Sequence, residues 1–166
     1  MIQLRTTLSD NDIINIRTLL RKTGFFDAAP DEIDVAIKLI EEARTKGNNI
    51  DNYRVIIADI ASNTEKWIAG YICFAKVPCS ISTYEIYWLA VDSSIQGKGI
   101  GKKLINEAFK EIKELKGNKL ILHTAGRSQY IPTHKFYESI GFTEEARIKD
   151  YYAIGDDGII YSLLIK

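Results

Sequence analysis

The run Trp88-Leu89-Ala90-Val91-Asp92-Ser93-Ser94-Ile95-Gln96-Gly97-Lys98-Gly99-Ile100-Gly101-Lys102-Lys103 decides the fold. Its first part closes an apolar, aromatic stretch, Thr83 to Val91, with the residue types of a buried strand. Its last part opens a helix, Lys98 to Lys116, whose Leu104, Ile105, Ala108, Phe109, Ile112 and Leu115 keep helical spacing on one face. Gly117-Asn118 is expected to close that helix as a left-handed cap. Lys119 to Thr124 then reads as another strand. Strand, glycine loop, helix and strand make a βαβ unit, so these two strands should run parallel.

A glycine loop between a strand and a helix has a physical use. The first N–H groups of a helix lack internal acceptors, and the macrodipole adds partial positive charge there. Glycines remove the Cβ atoms that would keep a bulky diphosphate away from those amides. The spacing Gly97-x-Gly99-x-Gly101 is neither a Walker loop, which needs Lys-Ser/Thr after its last glycine, nor the Gly-x-Gly-x-x-Gly of dinucleotide folds.

Working upstream, Ile2 to Leu8 reads as a strand, and Ser9 caps a helix with Asp12 in capping-box position. That helix, with Ile13, Ile16, Leu19 and Leu20 as its stripe, ends at Gly24. Pro30-Asp31 opens a second, which carries Ile33, Ala36, Ile37, Ile40 and Ala43 and stops at Gly47. Tyr53 to Asp59, Trp67 to Val77 and Thr83 to Val91 form an antiparallel meander, with a turn at Asn63 and a break at Pro78. Downstream, a short helix from Pro132 to Ser139 ends at Gly141. Strands Thr143 to Asp150 and Ile159 to Ile165 flank a Gly155-Asp156-Asp157-Gly158 turn. The order β-α-α-β-β-β-α-β-α-β-β implies an α/β chain with a mixed sheet and helices on its faces. No repeat or linker divides residues 1–166, which read as a single domain.

Composition narrows the function. The chain has 166 residues, 46% hydrophobic and 27% charged, with equal numbers of acidic and basic side chains. Zero net charge argues against a general nucleic-acid binder. The one local excess, seven lysines against three glutamates from Gln96 to Lys119, lies beside the glycine loop and reads either as a solvated helix face or as a weak field favouring a phosphate-rich ligand. No apolar run reaches membrane-spanning length and the N-terminus lacks signal-peptide character, so the expected location is the cytoplasm. Cys73 and Cys79 have no Cys or His at metal-ligand spacing, so no metal site is expected.

Gln96-Gly97-Lys98-Gly99-Ile100-Gly101 after a strand, with Phe136-Tyr137-Glu138-Ser139-Ile140-Gly141-Phe142 downstream, resembles the GCN5-related N-acetyltransferases. The first run is that family's Gln/Arg-x-x-Gly-x-Gly/Ala signature, and the second matches its Phe-Tyr-x-x-x-Gly-Phe. The resemblance implies an acetyl-CoA-dependent N-acetyltransferase, transferring to a primary amine of a small molecule or protein by direct attack in a ternary complex. An acyl-CoA-binding sensor without chemistry is the competing expectation. Gln96, Gly97, Lys98, Gly99, Ile100, Gly101 and Lys102 would hold the CoA pyrophosphate. The main chain of Leu89, Ala90 and Val91 would bond the pantetheine arm like an added strand. The family's Asn and Ala before the helix tyrosine are here Tyr130 and Thr133, which puts the arm contacts of that segment, Thr133 included, in doubt. A homodimer paired through C-terminal sheet edges is a further expectation.

The resemblance makes Tyr137 the donor of a proton to the leaving thiolate. For deprotonating the amine, Glu85 is the carboxylate on the cofactor strand, and strict alternation places it on one face with Tyr87, Leu89 and Val91. Aromatic Tyr151 and Tyr152 with Asp150 read either as a tyrosine-rich hairpin packing on itself or as a site for an ammonium-bearing acceptor. A backbone amide near Val91 would meet the oxyanion. By the same analogy the segment Ile13 to Gly47, with Phe25 and Phe26, would wall the acceptor pocket. His123 and His134 read as structural or surface residues.

Overall fold

The computed structural model describes residues 2–25, 31–47, 52–61 and 66–165. Among them run β1 (Ile2–Arg5), α1 (Asp10–Lys22), α2 (Asp31–Lys46), β2 (Arg54–Ala61), β3 (Lys66–Lys76), β4 (Thr83–Val91), α3 (Ile100–Glu114), β5 (Lys119–Ala125), α4 (Ile131–Ile140), β6 (Thr143–Ala153) and β7 (Asp156–Leu164). The order matches the sequence reading element for element. Pro30, Asn63 and Phe26 lie outside the described residues.

The strands form one seven-stranded sheet in the order β1-β2-β3-β4-β5-β7-β6. β4 and β5 run parallel, as the βαβ reading requires, and every other neighbour pair is antiparallel. Each face carries two helices. Ile16, Leu19 and Leu20 of α1 and Ile33, Ile37 and Ile40 of α2 bury against Val55, Ile57, Tyr71 and Cys73 on one face. Ile100, Leu104, Ile105 and Ile112 of α3 and Tyr137 of α4 bury against Ile56, Ile72, Ile86, Leu120 and Leu122 on the other. Alternate residues of one strand thus feed two cores, which is why β2 to β5 read as nearly continuous apolar runs.

Several boundaries differ from expectation for physical reasons. β1 ends at Arg5, where the guanidinium leaves the strand to pair with Asp12 at 2.7 Å and Asp59 at 2.7 Å. The box at the start of α1 is present: the Asp12 carboxylate accepts from the Ser9 backbone N–H at 2.7 Å. α3 starts at Ile100 rather than Lys98, because Gly99 caps it with φ 77°. It ends at Glu114, and the left-handed residue of its cap is Lys116 (φ 60°), not Gly117. Gly117 serves packing instead, since a Cβ there would stand 2.6 Å from Cε2 of Tyr84. The β6–β7 turn is tighter than the four-residue Gly155-to-Gly158 reading: β6 runs to Ala153 and Asp156 already belongs to β7. Asp156 is buried there and accepts from the Arg127 backbone N–H at 3.1 Å and from its Nη1 at 3.0 Å.

Candidate active site

The site begins where two parallel strands part. β4 and β5 pair from Thr83↔Lys119 to Ile86↔Leu122 and no further, while β4 runs on to Val91 and β5 to Ala125. On its other side β4 stays with β3 as far as Gly70↔Val91. Among the described residues no strand pairs with β4 beyond Ile86 on the β5 side. This leaves a wedge along whose β4 wall, at Leu89 to Val91, no strand runs on the β5 side among the described residues. An amide-bearing arm laid along Leu89 to Val91 would pair there as an added strand does. At the top, Gln96 Nε2 donates to the Val91 carbonyl at 3.2 Å, so the motif glutamine ties the loop to the strand end.

A bulge in β4 corrects the expected face of Glu85. Cys73 pairs with Trp88 but its neighbour Phe74 pairs with Ile86, so Tyr87 is an extra residue. An extra residue inverts the alternation beyond it. Tyr84 and Ile86 pack on the α3/α4 side, and beyond the bulge so do Leu89 and Val91. Glu85 therefore points to the α1/α2 side, with Tyr87 but away from Leu89 and Val91. Ala90, also buried, faces that same side, so it offers the cofactor main chain alone.

Above the wedge the glycines divide their labour. Gly97 and Gly99 have φ of 76° and 77°, and nothing lies within 4 Å of where their Cβ atoms would stand. Gly101 is inside the helix, where a Cβ would meet Cζ of Phe136 at 2.9 Å, so its smallness lets α4 approach α3. The first helical bond, Lys103 N–H to the Gly99 carbonyl, is 3.0 Å long. The amides of Ile100, Gly101 and Lys102 precede it and have no acceptor within the helix. Ile100's side chain is buried, whereas Lys98 and Lys102 are exposed beside the loop. The Asp92 carboxylate fixes the approach by accepting from the Ser94 backbone N–H at 2.9 Å and its hydroxyl at 2.7 Å, and those bonds hold it below the ordinary carboxylate range. An open glycine cradle of orphan amides, next to an unpaired strand edge, fits the pyrophosphate and arm of coenzyme A.

Tyr137 lies on the α3/α4 side, buried against Phe136 at 5.4 Å, Phe142 at 5.7 Å and Tyr161 at 6.1 Å between ring centroids. Burial, with Tyr130 nearby, pushes its hydroxyl well above the ordinary tyrosine value, so it stays protonated and available as a donor. Thr133, one turn earlier, is half-buried.

Glu85 occupies the opposite face and has a partner that sequence did not reveal. Its Oε1 lies 3.7 Å from Nε2 of His123, one strand over on β5. Burial raises the Glu85 carboxyl, while His123 and a hydrogen bond from Tyr87 pull it back. Tyr87 is itself pushed up to about 12 by burial and then by Glu85, and its ring meets Tyr53 edge-on at 5.2 Å. Only the register across the parallel pair, Glu85↔Ile121, brings a residue at 123 next to one at 85.

The third part is an aromatic wall. Phe25 packs on Tyr130 at 5.0 Å, and the Arg127 guanidinium sits 5.1 Å over the Tyr130 ring. Tyr152 is raised first by burial, with Tyr151, Tyr130 and Glu32 of α2 adding to it. Tyr130, where the resembled family has Asn, is the hub of this wall. Asp150, expected to face an ammonium, instead accepts from the Gly155 backbone N–H at 2.6 Å and holds the hairpin. His134 is structural as expected, its Nε2 2.8 Å from the Ala125 carbonyl. Two surface hollows, of about 250 and 410 Å³ beside Leu163 and Leu164, lie away from the wedge. Among the described residues no group of three His, Cys, Asp or Glu could hold a metal, and no helix is long and apolar enough to cross a membrane.

A parallel pair that splays beside a glycine-capped helix, with a buried tyrosine on one face and a carboxylate on the other, fits the acyl-CoA site that the sequence resemblance implies. The profile of the "Acetyltransferase (GNAT) family" matches residues 17–142, and the chain belongs to that family. A crystal structure of a GNAT-family protein from Desulfovibrio desulfuricans is 34% identical with a TM-score of 0.91, covering 100% of both chains. N-alpha-acetyltransferase 30 of Xenopus laevis is 26% identical over 137 residues, which is 78% of this chain. The chain spans about half of that relative's length, 50%. The NatC complex bound to Gag peptide and CoA has the same fold, at 22% identity and a TM-score of 0.74, covering 99% of each chain.

Proposed function

We propose that this enzyme acetylates the α-amino group of a peptide or protein, and that the transfer takes place in the β4–β5 wedge. The observation that carries the reading is the division of the wedge between two faces. On the α3/α4 face stand the glycine cradle and Tyr137; on the α1/α2 face stand Glu85 and His123, while Phe25, just past α1, packs on Tyr130 at the start of α4. A donor held from one side and an amine arriving from the other meet only in the gap, which is the geometry of direct attack.

Bound acetyl-CoA supplies the activated acetyl thioester. The amides of Gly99 to Lys102 hold its diphosphate, and the free edge of Leu89 to Val91 aligns its arm. An amine with a pKa near ~8, as for an α-amino group, is about one-tenth neutral at pH 7, so a proton acceptor on its side of the gap raises the reactive fraction. Glu85 provides the negative charge there. On the other side the Tyr137 hydroxyl donates to the departing sulfur and regains its proton from the attacking nitrogen. A backbone amide at the top of β4, near Val91, is the oxyanion donor. The α-amine assignment is supported by the N-alpha-acetyltransferase relative and by the aromatic wall with Glu32, which suits an ammonium attached to an apolar side chain.

The two free cysteines fit a reducing cytoplasm. Pairing of two copies would use β6, the C-terminal edge of the sheet, which is exposed along its whole length. The test of acceptor class is product mapping by mass spectrometry. Peptides with free N-termini, N-terminally blocked lysine peptides and aminoglycosides are each incubated with acetyl-CoA. Acetylation confined to free α-amines supports the assignment; a product only on lysine or sugar amines refutes it.

A further inference from the structure

Among the described residues two buried side-chain oxygens find no hydrogen-bond partner, the hydroxyls of Tyr71 and Thr124. Tyr71 is enclosed in the α1/α2 core. Thr124, only 6% exposed, stands elsewhere. It lies on β5 just past Leu122, the last β5 residue that pairs with β4, so it belongs to the part of the strand that has left its neighbour. Leu120 and Leu122 pack on the α3/α4 side, and alternation sends Thr124 the same way. Ile159, opposite Thr124 on β7, belongs to that core as well. Burying a hydroxyl without a partner is unfavourable, and an apolar residue of the same shape would avoid the loss.

α4 brings a second hydroxyl to the same place. His134 Nε2 lies 2.8 Å from the carbonyl of Ala125, the residue after Thr124. The Tyr137 ring, further along α4, is 6.1 Å from Tyr161, which pairs with Leu122. Thr124 is thus bracketed beneath the part of α4 that carries Tyr137. Across the gap, β4 turns Leu89 to this same face.

We propose that the Thr124 hydroxyl is a second hydrogen-bond donor to the sulfur of the acyl-CoA thioester, and so a catalytic residue beside Tyr137; this rests on the acetyl-transfer reading. In the step, the nitrogen pair of the neutral amine forms the C–N bond and the C–S pair leaves on sulfur. The proton of Tyr137 passes to sulfur, and the nitrogen's proton restores the phenol. Thr124 keeps its own proton and stabilises the sulfur's charge while the other is in transit. An ordinary phenol, near ~10, is a weaker acid than an ordinary thiol, near ~8.5, and burial raises Tyr137 further. Cleavage that waited for full protonation by Tyr137 would therefore run uphill. A hydroxyl with no internal bond to break is ready when the charge appears.

The test compares wild type with Thr124→Val, which keeps the shape and removes the hydroxyl, and Thr124→Ser, which keeps the hydroxyl. Thr124→Val is expected to lose about 10- to 100-fold in kcat, with Kd for acetyl-CoA close to wild type. Thr124→Ser should recover most of that loss. The urea midpoint of Thr124→Val should equal or exceed that of wild type, since the hydroxyl holds nothing in the free protein. A lower midpoint would mean that it has a structural partner and would overturn the proposal, as would an unchanged kcat. A rise in Kd for acetyl-CoA with kcat kept would place the hydroxyl on the amides of the arm and overturn the assignment to sulfur. Titration of the thiol of bound CoA, followed by its ultraviolet absorbance, needs no turnover. Its midpoint should rise by about one pH unit in Thr124→Val, and an unmoved midpoint overturns the contact. Wild-type protein that binds acetyl-CoA but acetylates no amine fails at the acetyl-transfer reading instead, so the two failures are distinguishable.

Discussion

Substituting Gly99 and Gly101 one at a time separates the two things the motif glycines do. At Gly99 the backbone is left-handed, φ 77°, and the space over it is empty. Gly99→Ala therefore clashes with nothing, and its cost in the free protein is the left-handed penalty of about 1–2 kcal/mol. For a chain of this size that lowers Tm by roughly 2–8 °C. In the complex the new methyl stands where the diphosphate approaches the amides. Losing one charge-assisted hydrogen bond costs about 1.5–3 kcal/mol, or roughly a 10- to 150-fold rise in Kd for acetyl-CoA. Gly101→Ala is the mirror case. Its methyl would come to 2.9 Å from Phe136 Cζ and 3.3 Å from Cε2, so the cost is overpacking of about 1–3 kcal/mol on stability. The remaining affinity should stay within a few-fold of wild type. Thermal denaturation and calorimetric titration with acetyl-CoA, on both variants, read the two effects. Unchanged acetyl-CoA affinity in Gly99→Ala would refute the assignment of this loop to the diphosphate.

Three other outcomes are expected. Tyr137→Phe keeps the ring packing against Phe136, Phe142 and Tyr161 but lacks the hydroxyl; kcat should fall about 10²- to 10⁴-fold with Kd for acetyl-CoA unmoved, measured by steady-state kinetics and calorimetry. Tyr130→Ala removes the ring that Phe25 and Arg127 pack on, so KM for the acceptor should rise about tenfold or more while KM for acetyl-CoA stays close to wild type. Arg5→Ala takes from the buried Asp12 carboxylate its paired cation and from Asp59 one of its partners, and urea denaturation should show a loss of about 3–5 kcal/mol. The same cluster sets an acid limit. Desolvation opposes ionised Asp12, but the bonds from Arg5 and Ser9 outweigh it and hold its carboxyl below the ordinary value. Its contribution is complete above about pH 4 and is lost as pH falls through the depressed folded value, so the stability gap between wild type and Arg5→Ala should narrow in acid.

Local signals made most of this fold legible. Thr83–Val91 emerged with the boundaries expected, because a turn at one end and the glycine loop at the other punctuate it. The capping box at Ser9 and the glycine after α4, with φ 108°, were likewise visible in single residues. What was not legible depends on the partner strand. The bulge at Tyr87 has no residue signature of its own; it exists because two rungs of β3, Cys73 and Phe74, face three residues of β4. It moves Glu85 to the far face, and no count along β4 alone could show that. The contact of Glu85 with His123 depends on the register of β5, and the two lie 38 positions apart in sequence (123 − 85). Gly117 was misread for a related reason: the sequence offers a glycine at a helix end, but Lys116 takes the left-handed turn and Gly117 yields room to Tyr84. Tyr130 stood out as a departure from the family pattern, yet its use became clear only with Phe25, Arg127 and Tyr152 around it.

The measurement closest to the central claim is thiol release from acetyl-CoA by the wild-type protein, with and without a peptide bearing a free N-terminus. The account predicts release that depends on the amine, matches acetylated product one to one, and collapses in Tyr137→Phe. Tight binding of acetyl-CoA with no amine-dependent release, across peptides, lysine side chains and small amines, would contradict it and leave an acyl-CoA-binding module in its place.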